Sequence, residues 1–224
     1  MKNLTYLITA ILLLTLSACK KEKIGKESPK TKLDIKQYFI SGTYLRTIGN
    51  KNFEHPYVVT FEENGVARIY DWGAVNNMQV SYTFENNMLT VNYGGSSNWV
   101  FTLDGENISK AEGLQSYYLS SNLYKVPATN QFTGNWYSGM MMIRENGSSM
   151  YFAYKFTETQ YQETIHLSPA NHSYTTIKNV MAIATENGTA RYFLALNGKL
   201  MVSRYNFGVD PPANFFFAAL SKDQ

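Results

Sequence analysis

Apolar and polar residues alternate with a period of two along most of this chain. Leu89, Val91 and Tyr93 are interleaved with Thr90 and Asn92. Trp99, Phe101 and Leu103 are interleaved with Val100 and Thr102, and Tyr192, Leu194 and Leu196 with Phe193 and Ala195. Successive side chains of a strand point to opposite faces, so this spacing predicts short strands with one face on a core. Turn chemistry separates the runs at Asn64-Gly65, Asn86-Asn87, Asp104-Gly105, Asn146-Gly147, Asn187-Gly188 and Asn197-Gly198. Asn-Gly and Asp-Gly adopt the positive φ angles that tight hairpins need. No amphipathic helix period extends beyond two turns, so the pattern predicts antiparallel, up-and-down β structure.

The amino terminus breaks this pattern. After Lys2, Leu4 to Leu16 forms an apolar run interrupted only by Thr5, Thr9 and Thr15. A spanning helix needs about 20 apolar residues, whereas the apolar part of a signal peptide needs about 7–15. The run therefore predicts a cleaved signal over residues 1–18. Its end, Leu16-Ser17-Ala18-Cys19, resembles the lipobox of bacterial lipoprotein signals at all four positions. The resemblance implies lipid on Cys19, which becomes the new amino terminus and is usually N-acylated (palmitate-type chains). More than one acyl chain gives stable anchoring. Cys19 is the only cysteine, so no internal disulfide is available.

Residues 19–36 then read as a flexible basic tether, with seven lysines against three acids and few apolar residues. Such a segment buries too little surface to offset its ordering entropy, and its lysines suit an anionic membrane surface. Lys20 stands where some lipoproteins carry an inner-membrane-retaining Asp. The resemblance therefore implies the outer membrane, with the periplasmic or surface face open.

Charge is consequently uneven. The whole chain carries a formal +3, yet residues 37–224 hold 12 basic and 14 acidic side chains. The positive excess belongs to the signal and tether, and the electrostatic footprint of a nucleic-acid binder is missing from the body. The aromatic content of 15%, with Val, Thr and Asn, suits pleated, half-buried surfaces.

The body also reads as a duplication, with units at 37–127 and 128–224 joined near Pro127-Ala128-Thr129-Asn130. Ser41-Gly42-Thr43-Tyr44 is answered by Thr133-Gly134-Asn135-Trp136, and Val59-Thr60-Phe61 by Tyr154-Lys155-Phe156. Tyr82-Thr83-Phe84 is answered by Thr175-Thr176-Ile177, Leu103-Asp104-Gly105 by Leu196-Asn197-Gly198, and Leu123-Tyr124-Lys125 by Leu220-Ser221-Lys222. Each half resembles the small lipocalin-like domains found in Bacteroidetes lipoproteins. The resemblance rests on Gly134-Asn135-Trp136, Gly42-Thr43-Tyr44, the Phe61–Gly65 hairpin, Tyr82-Thr83-Phe84 and Met88-Leu89-Thr90-Val91. Gln160 departs from the hairpin glycine in the second half. The expected fold is all-β, as two tandem antiparallel lipocalin-like barrel or sandwich units. Trp136 and Tyr44 are expected as core plugs near the barrel ends.

Candidate chemistry is sparse. His55, His166 and His172 have no acid or cysteine at metal-ligand spacing, and are expected on the surface or in loops. Gly-x-Ser-x-Gly and phosphate-loop motifs are missing, and Glu62-Glu63 sits beside a turn where solvated acids are ordinary. The expectation is a non-enzyme without metal or cofactor. Two aromatic or thioether features remain as ligand-binding candidates. Asp71 and Trp72, near Asn76-Asn77, suit stacking and hydrogen bonding on a sugar; the plainer alternative is that Trp72 covers a barrel end. Met140 and Met142, with Met141, line a pocket or pack a core. The functional expectation is a non-catalytic binding role at the cell envelope, for a small apolar molecule, a glycan or a protein. The alternative is an interaction or inhibitor protein acting on an envelope enzyme through its hairpin loops.

Overall fold

The computed structural model describes residues 33–48, 51–71, 76–94, 98–142, 148–164, 171–186, 189–206 and 216–223. The expected signal, Cys19, most of the expected tether, His166 and Trp72 lie outside these residues. The fold is all-β. The first sheet contains β1 (Tyr38–Ile48), β2 (Lys51–Phe61), β3 (Val66–Asp71), β4 (Asn76–Glu85), β5 (Met88–Asn92), β6 (Asn98–Asp104), β7 (Asn107–Glu112) and β8 (Asn122–Lys125). The second contains β9 (Trp136–Met142), β10 (Ser149–Phe156), β11 (Gln160–Thr164), β12 (Asn171–Ser173), β13 (Thr175–Ile177), β14 (Met181–Glu186), β15 (Thr189–Leu196), β16 (Lys199–Asn206) and β17 (Phe216–Lys222).

Both are up-and-down antiparallel meanders curled into nearly closed barrels. In each, the last strand returns to the first: β8 pairs β1 and β17 pairs β9. In the first, β4 pairs β3 through its first half and β5 through its second, turning at Ser81. In the second, the equivalent strand is divided at Tyr174, so β12 pairs β11 and β13 pairs β14. The hairpins form where positive φ is affordable: Asn64 (58°), Asn86 (50°), Asn87 (62°), Gly105 (60°), Asn197 (53°) and Gly198 (72°).

Register aligns the two barrels residue by residue. Phe61 faces Ala67 as Phe156 faces Tyr161, and Val59 faces Ile69 as Tyr154 faces Glu163. Leu89 faces Phe101 as Ala182 faces Phe193, and Val91 faces Trp99 as Ala184 faces Arg191. The first sequence match does not survive: Gly42 lies inside β1, whereas Gly134 lies in the turn before β9. The expectation for Trp136 is corrected accordingly. Trp136 faces outward and is 48% exposed, while Tyr137 takes the core position; Tyr44 is buried.

Each barrel has its own core. The first packs Ile40, Tyr57, Val59, Phe61, Leu89, Trp99 and Phe101, and the second Phe152, Tyr154, Phe156, Tyr161, Phe193 and Leu200. A third apolar layer joins them. Phe39, Val58 and Tyr70, on the outer face of the first barrel, pack with Val180, Met181, Ala190, Tyr192 and Leu194 of the second. The barrels are thus one assembly. Lys178 adds a polar clasp, donating from Nζ to the Lys36 carbonyl at 2.9 Å and the Phe61 carbonyl at 3.0 Å.

Candidate functional site

Strand alternation decides where each candidate residue points. In β9, Tyr137 and Met141 turn inward, and Met141 is fully buried. Met140 therefore faces out, 61% exposed and opposite Tyr151, and Met142 is only half-buried on that same outer face. The expectation that Met140 and Met142 line an interior pocket is corrected by this phase; the consecutive methionines cannot share a face. Asp71, at the end of β3, is half-buried and accepts a hydrogen bond from the Tyr44 hydroxyl. It does not lie with Met140 and Met142, which belong to the other barrel.

Histidine placement also departs from expectation. His55 is fully buried beside the Tyr44 ring, 5.7 Å between centroids, and His172 is half-buried against Tyr161 at 5.1 Å. Burial follows from their strand positions: His55 shares the inward phase of Tyr57 and Val59. Among the described residues no group of three or more His, Cys, Asp or Glu is placed to hold a metal ion.

The barrel interiors are occupied by large side chains. In the first, residues 113–121 cross the mouth as a strap. Leu119 N–H donates to the Thr43 carbonyl at 2.8 Å, Leu45 N–H to the Tyr117 carbonyl at 2.8 Å, and the Tyr57 hydroxyl to the Ser120 carbonyl at 3.0 Å. This strap drives Tyr118 between Tyr57 (5.0 Å), Trp99 (4.8 Å) and Tyr44 (5.7 Å). Burial pushes the Tyr57 hydroxyl up to about 12, and raises Tyr118 further from its ordinary value. Beside the strap, β7 and β8 do not pair, and a cleft of about 400 Å³ runs along β7.

A second cleft, of about 340 Å³, opens at the edge of the layer between the barrels. Its first wall is the outer face of β1 and β8, with Ser41, Thr43, Asn122 and Tyr124. Its second is the β15–β16 turn with β16 and β17, bringing Leu196, Asn197, Lys199, Met201 and Ala219. Period two assigns these residues outward, because Ile40, Leu123, Leu200 and Leu220 take the inward positions between them. Tyr124 stacks on Phe39 at 5.5 Å, so its ring is held as a wall. An apolar floor with a ring, two amides, hydroxyls and one ammonium can hold a small molecule by stacking and a few hydrogen bonds.

Sequence spacing does not reveal this cleft, because its residues come from five strands whose outer faces meet only through the shared layer. It also missed a buried ion pair inside the second barrel, Arg191 Nη2 to Glu163 Oε2 at 3.0 Å. Compared with known protein families, curated proteins and solved structures, the chain matches none.

Proposed function

We propose that this chain is an exported lipoprotein, held in the outer membrane by lipid on Cys19, with a non-catalytic binding role for a small apolar molecule or glycan. The observation that carries the reading is the 340 Å³ cleft between the barrels. Its size falls within the roughly 300–1,000 Å³ of small-molecule sites, which favour interfaces between structural units. The large buried side chains inside both barrels argue against a ligand lying along either axis.

A second reading is favoured by a different surface. Met140 (61% exposed) and Tyr151 (59%) face each other on the outside of β9 and β10, and Trp136 (48%) stands four residues along β9 on the same face. Exposed aromatics and methionine suit a protein partner.

Methionine methyl resonances separate the two. Octyl glucoside, a sugar with an apolar tail, should shift Met201 in the cleft and leave Met140 and Met141 unmoved. A Met140 shift alone supports the outer-face reading, and no shift at Met201 with octyl glucoside or free oligosaccharides sinks the cleft reading. For the anchor, mass spectrometry of the mature amino terminus should find acylated Cys19, and Cys19→Ser should release the chain from membranes. An unmodified Cys19, or cleavage elsewhere, overturns it.

A further inference from the structure

The barrels differ in charge at one level near their mouths. Where the first barrel packs Ile69 and Trp99, register places Glu163 and Arg191 in the second. Ile69 is 2% exposed and Trp99 is fully buried, so the fold accommodates uncharged side chains at this level. The second barrel instead buries two charges, with side chains 4% and 8% exposed. Replacing a buried ion pair by apolar residues is often neutral or stabilising. Stability therefore does not account for the charges.

The geometry of Arg191 adds a second observation. A guanidinium carries five N–H donors in a planar fork. Among the described residues, Arg191 bonds only Glu163, through one nitrogen, and lies 6.0 Å from the Tyr161 ring centroid. Its Nε is sealed from solvent and has no hydrogen-bond partner. A buried donor left without an acceptor is expensive, about 1–3 kcal/mol. Arg191 stands two residues into β15, which begins at Thr189, and Glu163 one residue from the end of β11 at Thr164. At ~3.3 Å per residue, the fork lies only about 7 Å below the strand ends. Opposite it, Ala184 stands where the first barrel has Val91, so the wall beside the guanidinium is small.

We propose that Arg191 is the receptor for an oxyanion entering the mouth of the second barrel, a carboxylate or phosphate group, and that Glu163 holds the guanidinium in place until the anion arrives. A carboxylate or phosphate pairs with the fork through two parallel N–H···O bonds. Glu163 competes for the same donors, so the empty site keeps Arg191 extended and the bound anion displaces part of the ion pair. This site is separate from the cleft between the barrels and stands without it.

Calorimetric titration of the full chain with octanoate and with inorganic phosphate tests this, with the Arg191→Gln chain as the control for binding elsewhere, including the cleft between the barrels. Octanoate binding alone identifies an acyl carboxylate, and phosphate binding a small inorganic anion; either supports the site when Arg191→Gln weakens it, and binding that Arg191→Gln leaves unchanged overturns it. Glu163→Gln removes the competitor and should bind the same probe at least tenfold more tightly. Arg191→Gln should bind at least tenfold more weakly, and Arg191→Lys should recover only part. The double variant Glu163→Leu with Arg191→Leu leaves this level uncharged, as it is in the first barrel, so it should fold and bind neither anion. Absence of oxyanion binding by both the full chain and Glu163→Gln overturns the proposal. So does undiminished binding by the folded double variant.

Discussion

Gly42→Ala is the sharpest perturbation of the first barrel. A Cβ at this position would lie 1.9 Å from the Ser120 carbonyl oxygen and 2.7 Å from both the Ser120 carbonyl carbon and Tyr57 Cε1. The nearest atoms belong to backbone, so no rotamer change relieves the clash and the strap must lift. Lifting it disrupts the Leu119–Thr43 bond and the Tyr57–Ser120 bond, and loosens Tyr118 between Tyr57 and Trp99. Overpacking costs about 1–3 kcal/mol, and each lost hydrogen bond about 1 kcal/mol. The expected loss is therefore about 3–5 kcal/mol, a large share of the ~5–15 kcal/mol that holds a typical domain. Gly105→Ala is the control. It has φ +60° with nothing within 4 Å, so it carries only the left-handed strain of about 1–2 kcal/mol. Urea unfolding followed by tryptophan fluorescence measures both, because Trp99 lies beneath the strap. Limited proteolysis should cut residues 113–121 faster in Gly42→Ala. Equal destabilisation by the two variants, with an equally resistant strap, would refute the strap as a packed closure.

Three further outcomes are expected. Phe39→Ala removes a fully buried ring from the layer between the barrels and should cost about 3–5 kcal/mol in urea unfolding; a loss below about 1 kcal/mol would mean that the layer does not couple the barrels. Glu163→Leu alone should cost about 3–5 kcal/mol, because it strands a buried guanidinium. The double leucine variant should regain most of this, and failure to regain it would show a net stabilising pair. Tyr57 ionises at about 12 when folded against 10.0 for the free side chain. Its contribution is therefore whole below pH 10 and lost as pH rises through 12. Alkaline titration should show a late tyrosinate phase coincident with unfolding; complete ionisation near pH 10 with the fold intact would contradict the burial.

Strand phase and turn position were legible because they are local. Period two places Leu89, Val91, Trp99 and Phe101 on the core, and Asn64, Asn86 and Gly105 adopt the positive φ that their residue types tolerate. The candidate sites were far less legible. A run of three methionines does not say which face it starts on, and only pairing of β9 with β10 and β17 turns Met141 inward and Met140 outward. Trp136 was misplaced for the same reason: Gly-x-Trp is a short match, and one residue of shift exchanges core for solvent.

Local residue order is enough to give an all-β body in two similar halves, together with the turns that reverse it. What the outer faces do depends on contacts between distant strands. Phe39, Val58 and Tyr70 alternate as outward residues, yet they are buried because a second barrel covers them. Glu163 and Arg191 are separated by four strand connections, and they meet only because the second sheet curls around a common axis. Local sequence encodes φ, ψ and strand phase; contacts across a barrel, and between barrels, depend on closure, which no short window of sequence contains.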